Sequence, residues 1–273
     1  MSTSQSFIKR FKTNPKPLVL DGAMGTELER RGVNVNDKLW SGLALINNPD
    51  KISQLYQAYL KAGADIITTA TYQLSTEALK ERGLNQTDVY DSAIKVGVDS
   101  KKAFYADNAN DIRQVYIGGS VGPYGAFLAD GSEYTGSYRD ISQEELAQFH
   151  EFRLKYLFES PQVDFIAFET IPKFEEIKVL VNAIKKLNFK SKNPKPYTLS
   201  MTCNDGETLA DGSSFTTVLQ WLNVNADEWL VAMGSNCCRL LHSLKIINTI
   251  NSSLTNCETL KQNNVKIIMP DLG

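Results

Sequence analysis

The sequence predicts a parallel α/β barrel of the (β/α)8, TIM-barrel type, with seven of its eight strands evident. Three observations predict it. Short apolar runs each stop at a Gly-rich or polar stretch, which reads as a buried strand emptying into a loop. The strand ends fall near Asp21, Thr71, Gly122, Glu169, Cys203, Cys237 and Pro270, with successive gaps of 50, 51, 47, 34, 34 and 33 residues. Each gap holds a helical pattern, and seven such units argue for a parallel barrel over an open sheet. No linker or low-complexity segment divides the chain, so one barrel domain over residues 1–273 is expected, with residues 1–16 as an N-terminal arm.

The elements follow in order. Leu18-Val19-Leu20 is a short apolar strand running into Asp21-Gly22-Ala23-Met24-Gly25, a tight turn that leaves backbone open to a ligand. Pro49-Asp50 opens an amphipathic helix with Ile52, Leu55, Tyr59 and Ala62 at helical spacing, ended by Gly63. Asp65 to Gln73 is β-rich, Glu77 to Ala106 is helical with a break near Gly83, and Val115 to Ser120 is the next strand. The polar, Gly-rich excursion Ala129 to Tyr138 exceeds a plain connector, and such loops are often functional. Ser142-Gln143-Glu144-Glu145 is a capping box opening a helix. Val163 to Phe168 is a strand ending at Glu169, and Phe174 to Leu187 a helix. Tyr197 to Met201 is a strand ending at Thr202-Cys203, and Ser214 to Asn223 a helix. Trp229 to Met233 is the strand before Cys237, Leu240 to Ile250 a helix, and Val265 to Met269 the last strand.

Composition narrows the function classes. A chain of 30.4 kDa with 42% hydrophobic and 22% charged residues is ordinary for a globular protein. A net charge of −2 gives no broad attraction for nucleic acid or an anionic membrane, and no apolar run reaches a membrane span. Four cysteines, at 203, 237, 238 and 257, do not make a disulfide scaffold in a chain this long; free thiols in a reducing cytoplasm are expected. Lys9, Arg10, Lys12 and Lys16 precede the first acid, Asp21. They suit an arm covering the barrel floor or, alternatively, a mitochondrial address.

In a parallel barrel the carboxyl ends of the strands carry the chemistry. Asp21, Thr71, Gln73, Glu169 and Cys237 then project from one rim. Cys237 follows a strand directly, so its thiol is a candidate soft-metal ligand or nucleophile; the alternative is a small buried hydrophobe, as also for Cys238. Asp21 is a candidate carboxylate or a turn residue bonding its own backbone. Glu169 follows Phe165-Ile166-Ala167-Phe168, beside a dry core, and needs a partner. Thr71 and Gln73 are candidate pocket residues or strand-end polar groups. Cys203, Cys257, His150 and His242 read as structural. Two carboxylates near a thiolate suit a substrate carrying both an ammonium and a sulfur atom.

These motifs together resemble one family. Asp21-Gly22-Ala23-Met24-Gly25-Thr26-Glu27-Leu28-Glu29-Arg30-Arg31-Gly32 is similar to the opening motif of the homocysteine S-methyltransferases, as are Ile66 to Gln73 and Gly119 to Ala126. Asp130-Gly131-Ser132-Glu133-Tyr134-Thr135-Gly136 resembles the form common in fungal and plant members. Phe168-Glu169-Thr170-Ile171-Pro172 and Gly234-Ser235-Asn236-Cys237 complete the series. The resemblance implies a zinc-dependent (Zn2+) homocysteine-binding barrel that makes methionine from homocysteine. The implied donor is S-methylmethionine, with S-adenosylmethionine as a substitute. It implies Cys237 as a zinc thiolate, Asp21 and Glu169 at the homocysteine end of the pocket, and Thr71 to Gln73 lining it. No general base is expected once a metal deprotonates the acceptor thiol.

The family draws two more zinc thiolates from a Gly-Gly-Cys-Cys motif after the eighth strand, and none precedes Pro270-Asp271-Leu272-Gly273. The expectation is therefore a chain lacking its last strand and helix. Cys238 is not expected to substitute, since neighbours in extended chain point to opposite sides. Two readings follow: a truncated form of a working zinc methyltransferase, or a catalytically inactive paralogue acting as a small-molecule-binding or interaction protein.

Overall fold

The computed structural model describes residues 3–13, 16–254, 257–262 and 266–268. Six parallel strands form one sheet: β1 Ile66–Thr68, β2 Tyr116–Val121, β3 Phe165–Ile171, β4 Tyr197–Met201, β5 Leu230–Ser235 and β6 Lys266–Ile268. They pair in sequence order, β1 to β6, with helices in every crossover. That sequential parallel order is the winding of a TIM-type barrel. The expected first strand is reduced to a single parallel bridge, Leu20 to Ile66, flanked by Asp65 and Ile66 N–H donating to Val19 O and Asp21 N–H donating to Ile66 O. Seven strand positions are thus seen in order. Val265 and Met269 of the expected last strand, and Pro270 near its expected end, lie outside the described residues.

The strands read as continuous apolar runs because both faces are covered. All six residues of β2 and all six of β5 are buried, as a sheet sandwiched between a barrel interior and a helical shell requires. The helices Pro49–Ala62, Gln86–Asp107, Gln143–Glu159 and Phe174–Lys190 supply that shell. The break near Gly83 separates Thr76–Glu81 from Gln86–Asp107, the second opened by Asn85, whose side chain accepts from Thr87 and Asp88 N–H. The capping box is present: Ser142 Oγ accepts from Glu145 N–H, and Glu145 Oε2 accepts from Ser142 N–H at 2.8 Å. At the other end of the strands, Phe7 of the helix Thr3–Thr13 stacks on Phe165, centroids 4.4 Å apart, and meets the Tyr116 ring edge-on. It packs with Ile66, Tyr116 and Phe165, the first residues of three strands, and so covers the amino ends of the sheet.

Two short helices near the rim, Met24–Arg30 and Ser41–Asn47, were not legible in the sequence. The first replaces the open turn expected at Asp21 to Gly25. It packs so tightly that a Cβ on Gly25 would lie 2.0 Å from the Trp40 indole.

A buried polar hub holds the Gly-rich excursion in place. The Glu176 side chain is fully buried and accepts from Tyr124 N–H at 2.6 Å, from the Tyr138 hydroxyl and from His150 Nε2 at 2.8 Å. Burial keeps His150 below the usual histidine range, so it sits neutral as an Nε2–H donor, the Glu176 bond opposing the shift. Arg153, also buried, donates to Tyr72 O. Removing the hub leaves three donors stranded in a dry interior. Glu176→Ala is therefore expected to lower unfolding stability by about 3–5 kcal/mol, measured by urea denaturation. A loss under 1 kcal/mol would show that the hub contributes little.

Candidate functional site

At the carboxyl ends of the strands, Asp21 and Glu169 are both half-buried and close enough for the charge of one to act on the other. Asp21 follows the Leu20 bridge, and its Oδ2 accepts from Thr68 N–H at 2.8 Å, with the Thr68 hydroxyl at 3.2 Å from Oδ1. It bonds across to the neighbouring strand, so it is more than a turn residue. Burial raises its carboxyl well above the usual range against the pull of the Thr68 N–H, and the charge of Glu169 adds to the rise. Burial likewise pushes Glu169 up to about 7, opposed by the Ser120 hydroxyl, which donates to Oε2 at 2.8 Å. Among the described residues neither carboxylate forms an ion pair. The pair is therefore poised to take a cation from outside the chain.

A bulge aims Glu169. The β3–β4 register shifts between Phe168 and Ile171, and within that irregularity Glu169 is the one half-buried residue of an otherwise buried strand. Bulges re-aim side chains in this manner beside active sites. The next residue, Thr170, has φ 59°, and Cys237 has φ 52°. Both are outside ordinary backbone for such residues, and a β-branched one most of all. Asn236 secures the two together. Its Oδ1 accepts from Thr170 N–H at 2.8 Å, its Nδ2 donates to Thr170 Oγ1 at 2.9 Å, and its own N–H donates to Met201 O. The Thr170 hydroxyl and Asn236 Nδ2 each lie 3.7 Å from Cys237 Sγ. Tyr72 stands near this group, within electrostatic reach of Thr170 and Cys237.

Of the four cysteines, Cys237 alone is exposed. Cys238 turns away, as expected for adjacent residues. Its thiol meets Ser243 Oγ at 3.2 Å and the Cys203 thiol, whose hydrogen bond brings Cys238 down to about 6 while burial opposes; Cys203 rises in turn. Thr71 and Gln73 stand differently from the carboxylates. Thr71 is fully buried three residues beyond β1, and its hydroxyl donates to Ser120 O at 2.6 Å and meets Thr69 Oγ1 at 2.7 Å. Gln73 is half-buried and donates from Nε2 to Ala126 O at 2.7 Å. Both tie the rim together through these bonds. Sequence reading missed Ser120, Thr170 and Asn236 as supports. Asn236 beside Cys237 was visible, but nothing local shows that it reaches residue 170. A cleft of about 400 Å³ lies elsewhere, lined by Tyr124, Ile141 and Phe149 among others, and its lining includes none of these groups.

Residues 18–273 match the family model of homocysteine S-methyltransferase. The chain belongs to the homocysteine S-methyltransferase family. Membership makes it an enzyme, and the family fits a rim with paired carboxylates and a thiol. The chain is 37% identical over 264 residues to homocysteine S-methyltransferase YbgG of Bacillus subtilis, covering 94% of this chain and 78% of that protein. It is 37% identical to the homocysteine S-methyltransferase of Escherichia coli over 227 residues, 82% of this chain and 70% of that one. The metallated crystal structure of the homocysteine methyltransferase MmuM from Escherichia coli superposes with a TM-score of 0.82 at 30% identity, covering 96% of this chain and 94% of that one. That likeness confirms the TIM-barrel type.

A metallated relative raises the question of a metal here. Among the described residues no group of three Cys, His, Asp or Glu side chains is placed to hold an ion. Cys237 is one thiol, whereas zinc sites in proteins take three or four protein ligands. The described residues therefore do not make a metal site by themselves. Among them no helix is long and apolar enough to cross a membrane.

Proposed function

We propose that this enzyme transfers a methyl group from a sulfonium donor, S-methylmethionine or S-adenosylmethionine, to the sulfur of homocysteine, giving methionine. The observation that supports it is the pair of desolvated carboxylates, Asp21 and Glu169, without a cationic partner among the described residues, on the same rim as a strained and exposed thiol. Homocysteine carries one ammonium and one thiol. Its α-ammonium lies between the two carboxylates, which ionise on pairing, and its sulfur lies toward Cys237. Methyl transfer is then a displacement at carbon. The homocysteine thiol gives up its proton to solvent, the thiolate's lone pair forms the new S–C bond as the donor's S–C bond breaks, and the donor leaves as a neutral thioether. Such a step depends mainly on alignment and exclusion of water. Thr71 and Gln73 wall the pocket and keep its shape.

Cys237 is proposed as an anchor of a metal, zinc by its affinity for thiolate. Among the described residues Cys237 is the one thiol on that rim that would hold it. The four free thiols suit a reducing compartment such as the cytoplasm. Incubating the purified protein with homocysteine and methyl-labelled S-methylmethionine tests the proposal. Labelled methionine is expected, and its formation should fall when homocysteine is replaced by homoserine, which offers the ammonium without the sulfur. Absence of label transfer to homocysteine from either sulfonium would overturn it.

A further inference from the structure

The loop between Ala129 and Tyr138 takes no part in the site as described so far, yet it is built with care. Its centre is a short helix, Ser132–Thr135, between Gly131 and Gly136 at φ 84° and 68°. The loop seats its backbone directly on Gly125, where a Cβ would lie 2.5 Å from Glu133 N, so only glycine admits this approach. Gly136 abuts Asp211, Lys173 Nζ reaches Gly136 O, and Asn204 Nδ2 donates to Tyr134 O at 3.2 Å. Tyr138 is tied to the Glu176 hub. The loop is thus fastened to the segments that follow β2, β3 and β4, over the rim that carries Cys237.

Among the described residues, two side chains on it stand apart, Glu133 and Tyr134. Glu133 Oε2 is shut off from solvent without a hydrogen-bond partner, and Glu133 enters no ion pair among the described residues. Burial raises its carboxyl, with Asp130 adding to the effect. A buried carboxylate oxygen left unpaired is costly and asks for a ligand that satisfies it. Tyr134 is 46% exposed, and the charges of Cys237 and Glu133 both reach it, as they reach Tyr72. Glu133, Tyr134, Tyr72 and Cys237 thus lie within electrostatic reach of one another, with Glu133 and Tyr134 on the loop. Asp21 and Glu169 already account for the single ammonium of the acceptor.

We propose that Glu133 is the recognition carboxylate for the methyl donor, pairing with the α-ammonium of an amino-acid sulfonium while the Tyr134 and Tyr72 rings cover its sulfonium end. This rests on the methyl-transfer reading above. The division of labour follows from charge. The sulfonium loses its charge as the methyl leaves, so an anion held against it would favour the ground state over the transition state. The α-ammonium keeps its charge throughout, and a carboxylate there binds both states equally. Aromatic faces attract a cation without a full opposing charge. Glu133 accordingly governs donor affinity and leaves the chemical step alone.

The test is steady-state kinetics with homocysteine and S-methylmethionine in the wild type, Glu133→Gln and Glu133→Asp, with direct binding of S-methylmethionine by equilibrium dialysis. Glu133→Gln is expected to raise the donor KM and dissociation constant at least tenfold. The kcat should stay within threefold and the homocysteine KM within twofold, and Glu133→Asp should recover part of the donor affinity. A donor KM unchanged in Glu133→Gln, or an equal rise in the homocysteine KM, overturns the assignment while leaving the methyl-transfer reading intact. A wild type that transfers no methyl from S-methylmethionine overturns this assignment, and one that also transfers none from S-adenosylmethionine sinks the methyl-transfer reading with it. A melting temperature within 2 °C of wild type shows that any kinetic change is not a folding defect; a larger drop with unchanged donor binding counts against the proposal.

Discussion

Cys237→Ala is expected to lower kcat at least about 1,000-fold, or about 4 kcal/mol of barrier, with the melting temperature nearly unchanged. The stability expectation comes from contacts. Cys237 is exposed, its thiol has long 3.7 Å approaches to Thr170 and Asn236, and alanine adopts φ 52° no less readily than cysteine. The activity expectation comes from position. This thiol is clamped to the residue after Glu169, and no neighbour replaces it, because Cys238 is turned toward Cys203 and Ser243. Metal content, read by mass spectrometry on the wild type and the variant, reports separately on its role as an anchor. Cys257→Ala, a buried cysteine among the outer helices, is the control and should keep turnover. An alanine variant at 237 retaining a tenth of wild-type kcat would remove Cys237 from the reaction.

Glu169→Gln carries the second large effect, and it has two signs. For binding, loss of one charge facing a half-buried ammonium is expected to raise the homocysteine KM by roughly 30- to 100-fold, about 2–3 kcal/mol. The pH profile identifies the group. Because burial holds Glu169 near 7, the empty site is protonated below that pH, and kcat/KM for homocysteine should fall as pH drops through 7. In the glutamine variant that limb should disappear. For stability the sign reverses. A folded-state carboxyl held above its unfolded range binds its proton more tightly when folded, so the native state loses stability as pH rises from about 4.5 to about 7, and the loss is complete above that. Glu169→Gln should therefore melt higher than wild type at pH 8 and nearly with it at pH 4. A variant that melts lower at pH 8 would show that the carboxylate is not strained in the empty site. Stability given up where a ligand's charge is awaited is a recurrent feature of active sites.

The readable parts of the fold were those set by local rules. The apolar runs before Gly119, Glu169 and Cys237 became β2, β3 and β5, and the capping box at Ser142 formed as expected. The helices at Met24–Arg30 and Ser41–Asn47 escaped because their short sequences carry no clear period; Gly25 packing on Trp40 decides them. The first strand shrank to the Leu20 bridge, since a run of three apolar residues cannot show how much pairing a neighbour will offer. At the site, Asp21, Glu169 and Cys237 were visible as chemistry-bearing residues at strand ends. Thr71 and Gln73 were visible as well, but the structure commits their polar atoms to Ser120, Thr69 and Ala126. Thr170, Asn236 and Ser120, which hold the site in shape, gave no local signal.

The sequence by itself determined the alternation of strand and helix, the family, and the kinds of groups at the rim, because periodicity and residue chemistry are properties of neighbours along the chain. Only the tertiary structure decided which groups remain without a partner. The β3–β4 register shift falls at Glu169, Asn236 clamps Thr170 beside Cys237, and Gly125 admits the loop that leaves Glu133 half-buried with its Oε2 enclosed and unbonded. Desolvation and pairing depend on what lies across space, and for these residues the partners are tens of positions away in the chain.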